Sequence, residues 1–410
     1  MQTITRDRMF YRFSLYGFLK NLRFFDPFIL LIFRSYGLSF LQIGILYSIR
    51  DVATNILEIP TGVIADSFGR RRSMVAAFLS YIASFLMFYF LKDFIFLALA
   101  MVLFAFGEAF RSGTHKALIL EYLNIQGISD LKVAYYGLTR SASQFGSAFN
   151  ALIAAGLVFY TSSYRVMFLA SIVPYLLDLF NVISYPKILD GKLQRLKKEE
   201  VWNRVKTTSR EFVQIFSDGS VMKAILNSAS FSGVFKSAKD YLQPILAVLA
   251  LSVSVFTNLE DTRREAVIIG LVYFGIYFLT SLASRRAYQF SERFSSLSQA
   301  VNFTYLLGAG MLVLSGVTAN LHVITLAVVC FLGLYVINNI RRPINVGIIS
   351  DQISSKIMAS GLSTESQFTT IFSAIVAPLL GLLVDNLGVG NGITLIGIGM
   401  IALFLLVRLK

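Results

Sequence analysis

Lys20 and Arg23 stand three residues apart inside a long apolar stretch, and Lys236 and Lys239 repeat the pair at one common offset later in the chain. Other charges interrupt apolar sequence in the same way: Asp26 and Asp240 beside those pairs, Asp51 and Glu58 around Asn55, then Glu108, Arg111, His115 and Arg140. Lys116, Arg341, Arg342 and Glu365 complete the set. Helical spacing puts Lys20 with Arg23 on one stripe, Asp51 with Asn55 and Glu58 on another, and Glu108 with Arg111 and His115 on a third. Ammonium and guanidinium groups hold carboxylate or phosphate, and a carboxylate shut away from water can exchange a proton as a basic neighbour comes and goes. That is the chemistry of binding and relay. Bond-making chemistry is not indicated, because His115 and His322 are the only histidines, Cys330 is the only cysteine, and no H-E-x-x-H, G-x-S-x-G or G-x4-G-K-[ST] run occurs. The sequence therefore predicts no enzyme, no catalytic residue, no metal, no cofactor and no ATP-driven pump.

The elements that must carry these charges follow from composition. Hydrophobic residues make up 56% of the 410, charged residues 15%, and mean hydropathy is +0.68, which a soluble domain of this size rarely shows. A membrane-crossing helix needs about 20 mostly apolar residues, whereas a barrel would show short alternating segments. Continuous apolar runs predict an all-α membrane protein with twelve spans, near 10–35, 41–63, 73–92, 94–117, 133–158, 164–186, 219–250, 265–284, 297–317, 321–344, 358–384 and 390–408. Each charge at the centre of such a span costs about 2.5 to 3.5 kcal/mol on insertion scales, so these residues are expected to face a wet interior.

The net charge of +14 would suggest nucleic acid in a soluble protein, but here basic residues collect in alternate loops. Lipid explains them, and no nucleic-acid partner is expected. Arg70 to Arg72, Lys132, the run from Lys187 to Arg210, Arg285, Arg286, Arg293, Lys356, Arg408 and Lys410 predict a cytoplasmic side that holds both termini of a multi-pass plasma (inner) membrane protein. The segment after Met1 to Arg12 is too long and too charged for a cleaved leader. The polar stretch from Lys187 separates two six-span bundles, residues 1–186 and 219–410, and residues 187–218 read as an amphipathic basic linker lying along the anionic leaflet. Arg70 falls on Arg286 at the offset that relates Lys20 to Lys236, so the halves read as a repeat. Pro27 and Pro244 allow a kink in spans 1 and 7.

Between spans 2 and 3 lies Gly62-Val-Ile-Ala-Asp66-Ser-Phe-Gly69-Arg70-Arg71-Arg72, a G-x-x-x-D-x-x-G-R-R pattern. It resembles the signature loop of the major facilitator superfamily. The resemblance implies two pseudo-symmetric six-helix bundles in which helices 1, 4, 7 and 10 line a central cavity and helices 3, 6, 9 and 12 face lipid. Spans 1, 4, 7 and 10 are also the ones richest in internal charge, while 3, 6, 9 and 12 are nearly uncharged inside. The resemblance further implies a cytoplasmic gate formed by Gly62, Asp66, Gly69, Arg70 and Arg71, with Asp66 facing the start of span 11 near Ala359 to Ser363. Pro60-Thr-Gly62 and Glu108-x-x-Arg111-x-Gly113 look like a bacterial branch described as drug exporters. Two departures argue against drug–proton antiport: His115 stands where the helix 4 motif has glycine, and span 5 lacks the G-P-x-x-G-G type run.

Lys20, Arg23, Arg111, Lys236, Lys239 and Arg140 outnumber Asp26, Glu108, Asp240 and Asp51, so the expected cavity is positive and focuses anions. The sequence predicts a monomeric secondary transporter of a small organic anion or zwitterion. Its basic residues would bind substrate, and Asp26, Glu108, Asp240 and Asp51 would couple protons or form ion pairs. A purely structural network, such as Arg23 with Glu108 or Lys236 with Asp240, competes with that assignment. Glu58 reads as a structural partner of the nearby turn and His115 as part of a polar face. A polyspecific drug exporter and a non-transporting membrane sensor on the same scaffold are the alternative functions.

Overall fold

The computed structural model describes residues 6–190, 219–253, 258–352 and 358–409, with backbone alone at 59, 62, 63, 66, 130, 133, 134, 350–352 and 358–362. Every regular element among the described residues is helical, and helices occupy all twelve expected spans. Spans 2, 3, 5 and 6 are the helices Phe40–Phe68, Arg70–Phe90, Lys132–Thr161 and Val166–Ile183. Spans 8 to 12 are Asp261–Arg285, Leu297–Asn320, Ile324–Gln352, Met358–Leu387 and Val389–Val407. Several run beyond the bounds set by hydropathy, because a helix continues past the apolar stretch while its backbone hydrogen bonds can still be made.

Spans 1, 4 and 7 are broken. Span 1 is the helix Arg8–Leu19, a 3-10 turn Asp26–Phe28 and the helix Ile29–Ser35. Span 7 repeats this as Gly219–Ala238, the 3-10 turn Lys239–Tyr241 and Leu242–Ser252. Span 4 is Phe94–Arg111 followed by Thr114–Ile125, divided where Gly113 takes φ +72°, a conformation glycine adopts without strain. Pro27 lies in its 3-10 turn and Pro244 in the first turn of a new helix, where a missing N–H leaves no bond unmade. The kink expected in span 1 is therefore a full interruption over residues 20–25, whereas in span 7 a single 3-10 turn joins two α-helical segments without a gap. Carbonyls at both breaks are satisfied in the same way: the Tyr175 hydroxyl donates to Lys20 O at 3.0 Å, and the Tyr335 hydroxyl donates to Lys239 O at 3.2 Å.

The chain forms two compact units, Met1–Phe28 with Ala53–Trp202 and Ile29–Val52 with Asn203–Lys410. Residues 29–52 thus cluster with the second half of the chain, which six-span counting does not anticipate. The basic linker expected at 187–218 lies outside the described residues apart from the 3-10 turn Lys187–Asp190 and its flank.

Within the first unit, span 1 packs on span 5 through glycine. A Cβ on Gly17 would meet Ser143 Oγ at 2.8 Å, and one on Gly146 would meet Phe18 O at 2.5 Å. Gly233 of span 7, at the repeat offset from Gly17, makes the equivalent approach to span 11, where a Cβ would fall 2.5 Å from Phe372 Cβ. Small residues at crossings let helices touch when lipid supplies no hydrophobic drive. The second unit uses them again where span 2 meets span 11: Cβ atoms on Gly44 and Gly381 would lie 2.3 Å from Ala377 O and 2.2 Å from Phe40 O. Ser48 donates to Ala374 O at 2.6 Å along the same seam.

Span 2 begins with a reciprocal cap, Gln42 N–H to Ser39 Oγ at 3.1 Å and Ser39 N–H to Gln42 Oε1 at 2.9 Å. Asp385 of span 11 accepts the next two free amides, Phe40 N–H at 2.9 Å and Leu41 N–H at 2.8 Å. A carboxylate there also complements the helix dipole.

Candidate functional site

In the first unit the charges of spans 1 and 4 form one network. Glu108 shares its carboxylate between two guanidinium groups: Oε1 pairs with Arg23, and Oε2 accepts from Arg111 at 2.5 Å. Each arginine also meets a tyrosine hydroxyl, Arg23 Nε with Tyr175 at 2.5 Å and Arg111 Nε with Tyr81 at 3.0 Å. The Arg23 guanidinium lies over Phe104 at 4.9 Å and over Tyr81 at 5.3 Å, and Lys20 Nζ lies over Tyr16 at 5.4 Å. His115 stacks on the same Tyr16 ring with centroids 3.5 Å apart. Arg23 and Arg111 are therefore held by partners of their own unit, as the competing structural network expects. Arg140, on span 5, is exposed and makes no ion pair among the described residues.

The second unit pairs its charges differently. Lys236 binds Asp51 Oδ2 at 2.8 Å, and Arg50 binds Asp51 Oδ1 at 3.1 Å, with Ser373 Oγ donating to Asp51 at 2.8 Å. Lys239 takes Asp240 at 2.8 Å. The expected pairing of Lys236 with Asp240 is not formed, because the helix changes to a 3-10 turn at Lys239 and the i, i+4 register is lost.

Beside these lysines opens a cavity of about 500 Å³ within the second unit. Span 7 lines it with Ser228, Ser232, Phe235, Lys236 and Lys239, span 10 with Asn338, Arg342 and Asn345, and span 11 with Glu365, Ser366 and Thr369. The spacings follow helical stripes, so three helices turn polar faces to one space. Asn345 Nδ2 donates to Ser228 Oγ at 2.8 Å, and Ser228 Oγ donates to Glu365 Oε1 at 2.8 Å. Adjacent Arg341 and Arg342 part company here. Arg341 is 1% exposed and donates to Val301 O, to Thr304 Oγ1 at 2.9 Å and to Asn227 Oδ1 at 2.8 Å, with the Phe231 ring 4.3 Å from its guanidinium carbon. It ties spans 7, 9 and 10 together.

The turn between spans 2 and 3 is pinned to its own unit. Gly69 adopts φ +105°, a conformation reserved largely for glycine. Arg70 pairs with Glu121 at 3.4 Å, Arg71 N–H donates to Asp190 Oδ1 at 2.7 Å, and the Arg71 guanidinium donates to Tyr185 O at 3.2 Å. Glu58 accepts from Ser112 Oγ at 2.7 Å nearby. At Gly62, Asp66 and residues 358–362, where span 11 starts, only the backbone is described, so the expected facing of Asp66 to that start lies outside the described side chains.

Sequence reasoning missed Arg50, Glu121, Asp190, Asp385 and Asp178. Four of these lie close to span ends or to another charge. Asp178 is different: it sits inside span 6, is 0% exposed, accepts from Asn181 at 3.2 Å, and has no partner for Oδ2 among the described residues. By sequence, span 6 counts as nearly uncharged inside, and the isolated i, i+3 pair Asp178 and Asn181 is the signal available.

Nine helices among the described residues are long and apolar enough to cross a membrane, and with the charged first span of each half broken at matching positions they define a multi-pass membrane protein. The chain belongs to the Major Facilitator Superfamily, whose sequence profile matches residues 16–363. It is 24% identical over 245 residues to an uncharacterized MFS-type transporter, YxaM, of Bacillus subtilis (strain 168); the match covers 60% of this chain and 59% of that protein. The fold is that of the nucleoside transporter NupG, with TM-score 0.74 and 12% identity over 98% of each chain. It is also that of a peptide transporter POT, with TM-score 0.75 and 13% identity over 98% of this chain and 93% of the other.

Proposed function

We propose that this chain is a secondary transporter working by alternating access, and that its cargo is a small organic molecule bearing a carboxylate or phosphate. The observation that carries the reading is the cavity of the second unit, where Lys236, Lys239 and Arg342 face Glu365 alone among the lining residues. Asp51 and Asp240, which are not among the lining residues, hold the two lysines, so Arg342 is the cation open to an anion, and low-dielectric walls strengthen its field. Arg23 and Arg111 contribute less, because Glu108 and two tyrosines already occupy them.

The seam of spans 2 and 11 supports alternating access. It joins short side chains and backbone, with Asp51 bridging Lys236 and Ser373, so it can separate without exposing a large apolar face. We read it as a gate at the start of span 2, the far end of that helix from Gly69. Coupling to protons would run through Asp51, Asp240 or Glu108, each of which holds a cation that cargo or a proton can displace.

Proteoliposomes on a solid-supported membrane, challenged with a panel of small carboxylates and organic phosphates, test the reading. Wild-type protein is expected to give transient currents with at least one of them. Replacing Lys239→Gln and Arg342→Gln together should abolish the response, and currents unaffected by the double replacement would contradict the anion site.

A further inference from the structure

Arg342 and Glu365 line the same cavity from neighbouring spans, yet they do not pair with each other or with any other charged group among the described residues. Every other acid or base lining this space is compensated: Lys236 by Asp51 and Lys239 by Asp240. Glu365 Oε1 accepts only hydroxyls, from Ser228 at 2.8 Å and Thr369 at 3.4 Å, and is half-buried. An isolated charge at membrane depth is costly and marks a wet, functional surface. Two opposite charges facing one cavity would normally collapse onto each other. Held apart on separate helices, they present complementary ends to something placed between them.

We propose, resting on the anion-binding reading above, that the cargo is a zwitterion: its carboxylate or phosphate meets Arg342 within the field of Lys236 and Lys239, and its ammonium meets Glu365. Arg342 offers a planar donor fork suited to a carboxylate or phosphate, and a carboxylate with hydroxyl neighbours is a natural acceptor for an ammonium. Asn338, Asn345, Ser228 and Ser232 supply neutral donors and acceptors for the middle of the molecule, while Phe235, Val346 and Ile349 offer apolar surface to its carbon skeleton. The volume of about 500 Å³ accommodates an amino acid or a short peptide together with water.

The test uses the purified full-length protein and matched triples of compounds, each a zwitterion, its N-acetylated anion and its carboxamide or ester cation. Amino acids, dipeptides and glycerophosphoethanolamine provide the triples, the last standing for a lipid headgroup, and thermal stabilisation reports binding. At least one zwitterion is expected to bind wild-type protein about tenfold or more tightly than both of its singly charged forms, the effect of removing one charge-assisted hydrogen bond at either end. Glu365→Gln should erase the advantage of the zwitterion over the N-acetylated form. Arg342→Gln should weaken both of these about equally. If N-acetylated anions bind as well as zwitterions, the inference falls and the anion reading stands. If only the cations bind, or no member binds, both fall. The comparison among compounds needs only wild-type protein, so a poorly folded variant does not blunt it.

Discussion

At the scale of residues, charges that hold the fold separate from charges left available to a ligand. Arg341 belongs to the first group, since its donors serve a carbonyl and a hydroxyl on span 9 and an amide on span 7. Arg341→Met should therefore cost on the order of 3 kcal/mol, as charge-assisted bonds disappear and their acceptors are orphaned. Arg342→Met, one position along, should leave thermal unfolding of the purified protein nearly unchanged. Asp178→Asn should also be tolerated within about 1 kcal/mol, because the oxygen that accepts from Asn181 is retained and no cation loses its partner. A large loss of stability in Asp178→Asn would show that the second oxygen has an essential partner. Lys236, Lys239, Arg342 and Glu365 are all visible in the sequence as violations of an apolar pattern, but only the two lysines read there as substrate-binding. Which of them pair was not legible. Lys236 reaches Asp51, far away in sequence, because the first half of the span 2 helix packs on spans 7 and 11, and hydropathy carries no information about such packing.

At the scale of elements, interruptions and crossings follow different rules. Breaks in spans 1 and 7 coincide with charges and with Pro27 and Pro244, so their sites could be read in advance even though the 3-10 turns could not, whereas the break at Gly113 in span 4 was not anticipated. Crossings depend on single glycines whose role appears only in three dimensions. Gly233→Ala places a methyl 2.5 Å from Phe372 Cβ and 2.9 Å from Thr369 O, whereas Gly275→Ala meets nothing within 4 Å. The first should lower the melting temperature clearly and the second should hold or raise it, because alanine is the better helix former by about 1 kcal/mol. Equal effects would mean that the spans 7 and 11 crossing relaxes freely. At the start of span 2, Asp385→Ala should cost about 1 kcal/mol by freeing two capped amides, which melting experiments can resolve.

At the scale of the whole molecule, the all-α membrane fold with twelve spans was written in composition and repeat, since lipid permits few alternatives to a satisfied helix. The grouping of residues 29–52 with the second half was not, because it depends on which surfaces pack once both halves are formed. That grouping underlies the proposal that the seam of spans 2 and 11 parts during transport. Ser48 and Ala374 face each other across it. With Cys330→Ser as background, the pair Ser48→Cys and Ala374→Cys allows the seam to be fastened by oxidation and freed by a reducing agent. The most direct measurement is counterflow in proteoliposomes of whichever compound gives the largest current, made with this variant before and after oxidation. Alternating access with an anion-bearing cargo predicts counterflow in the reduced protein, its loss on oxidation and its recovery on reduction. Uptake that continues unchanged through the fastened seam, or specific binding with no exchange in any state, would contradict it.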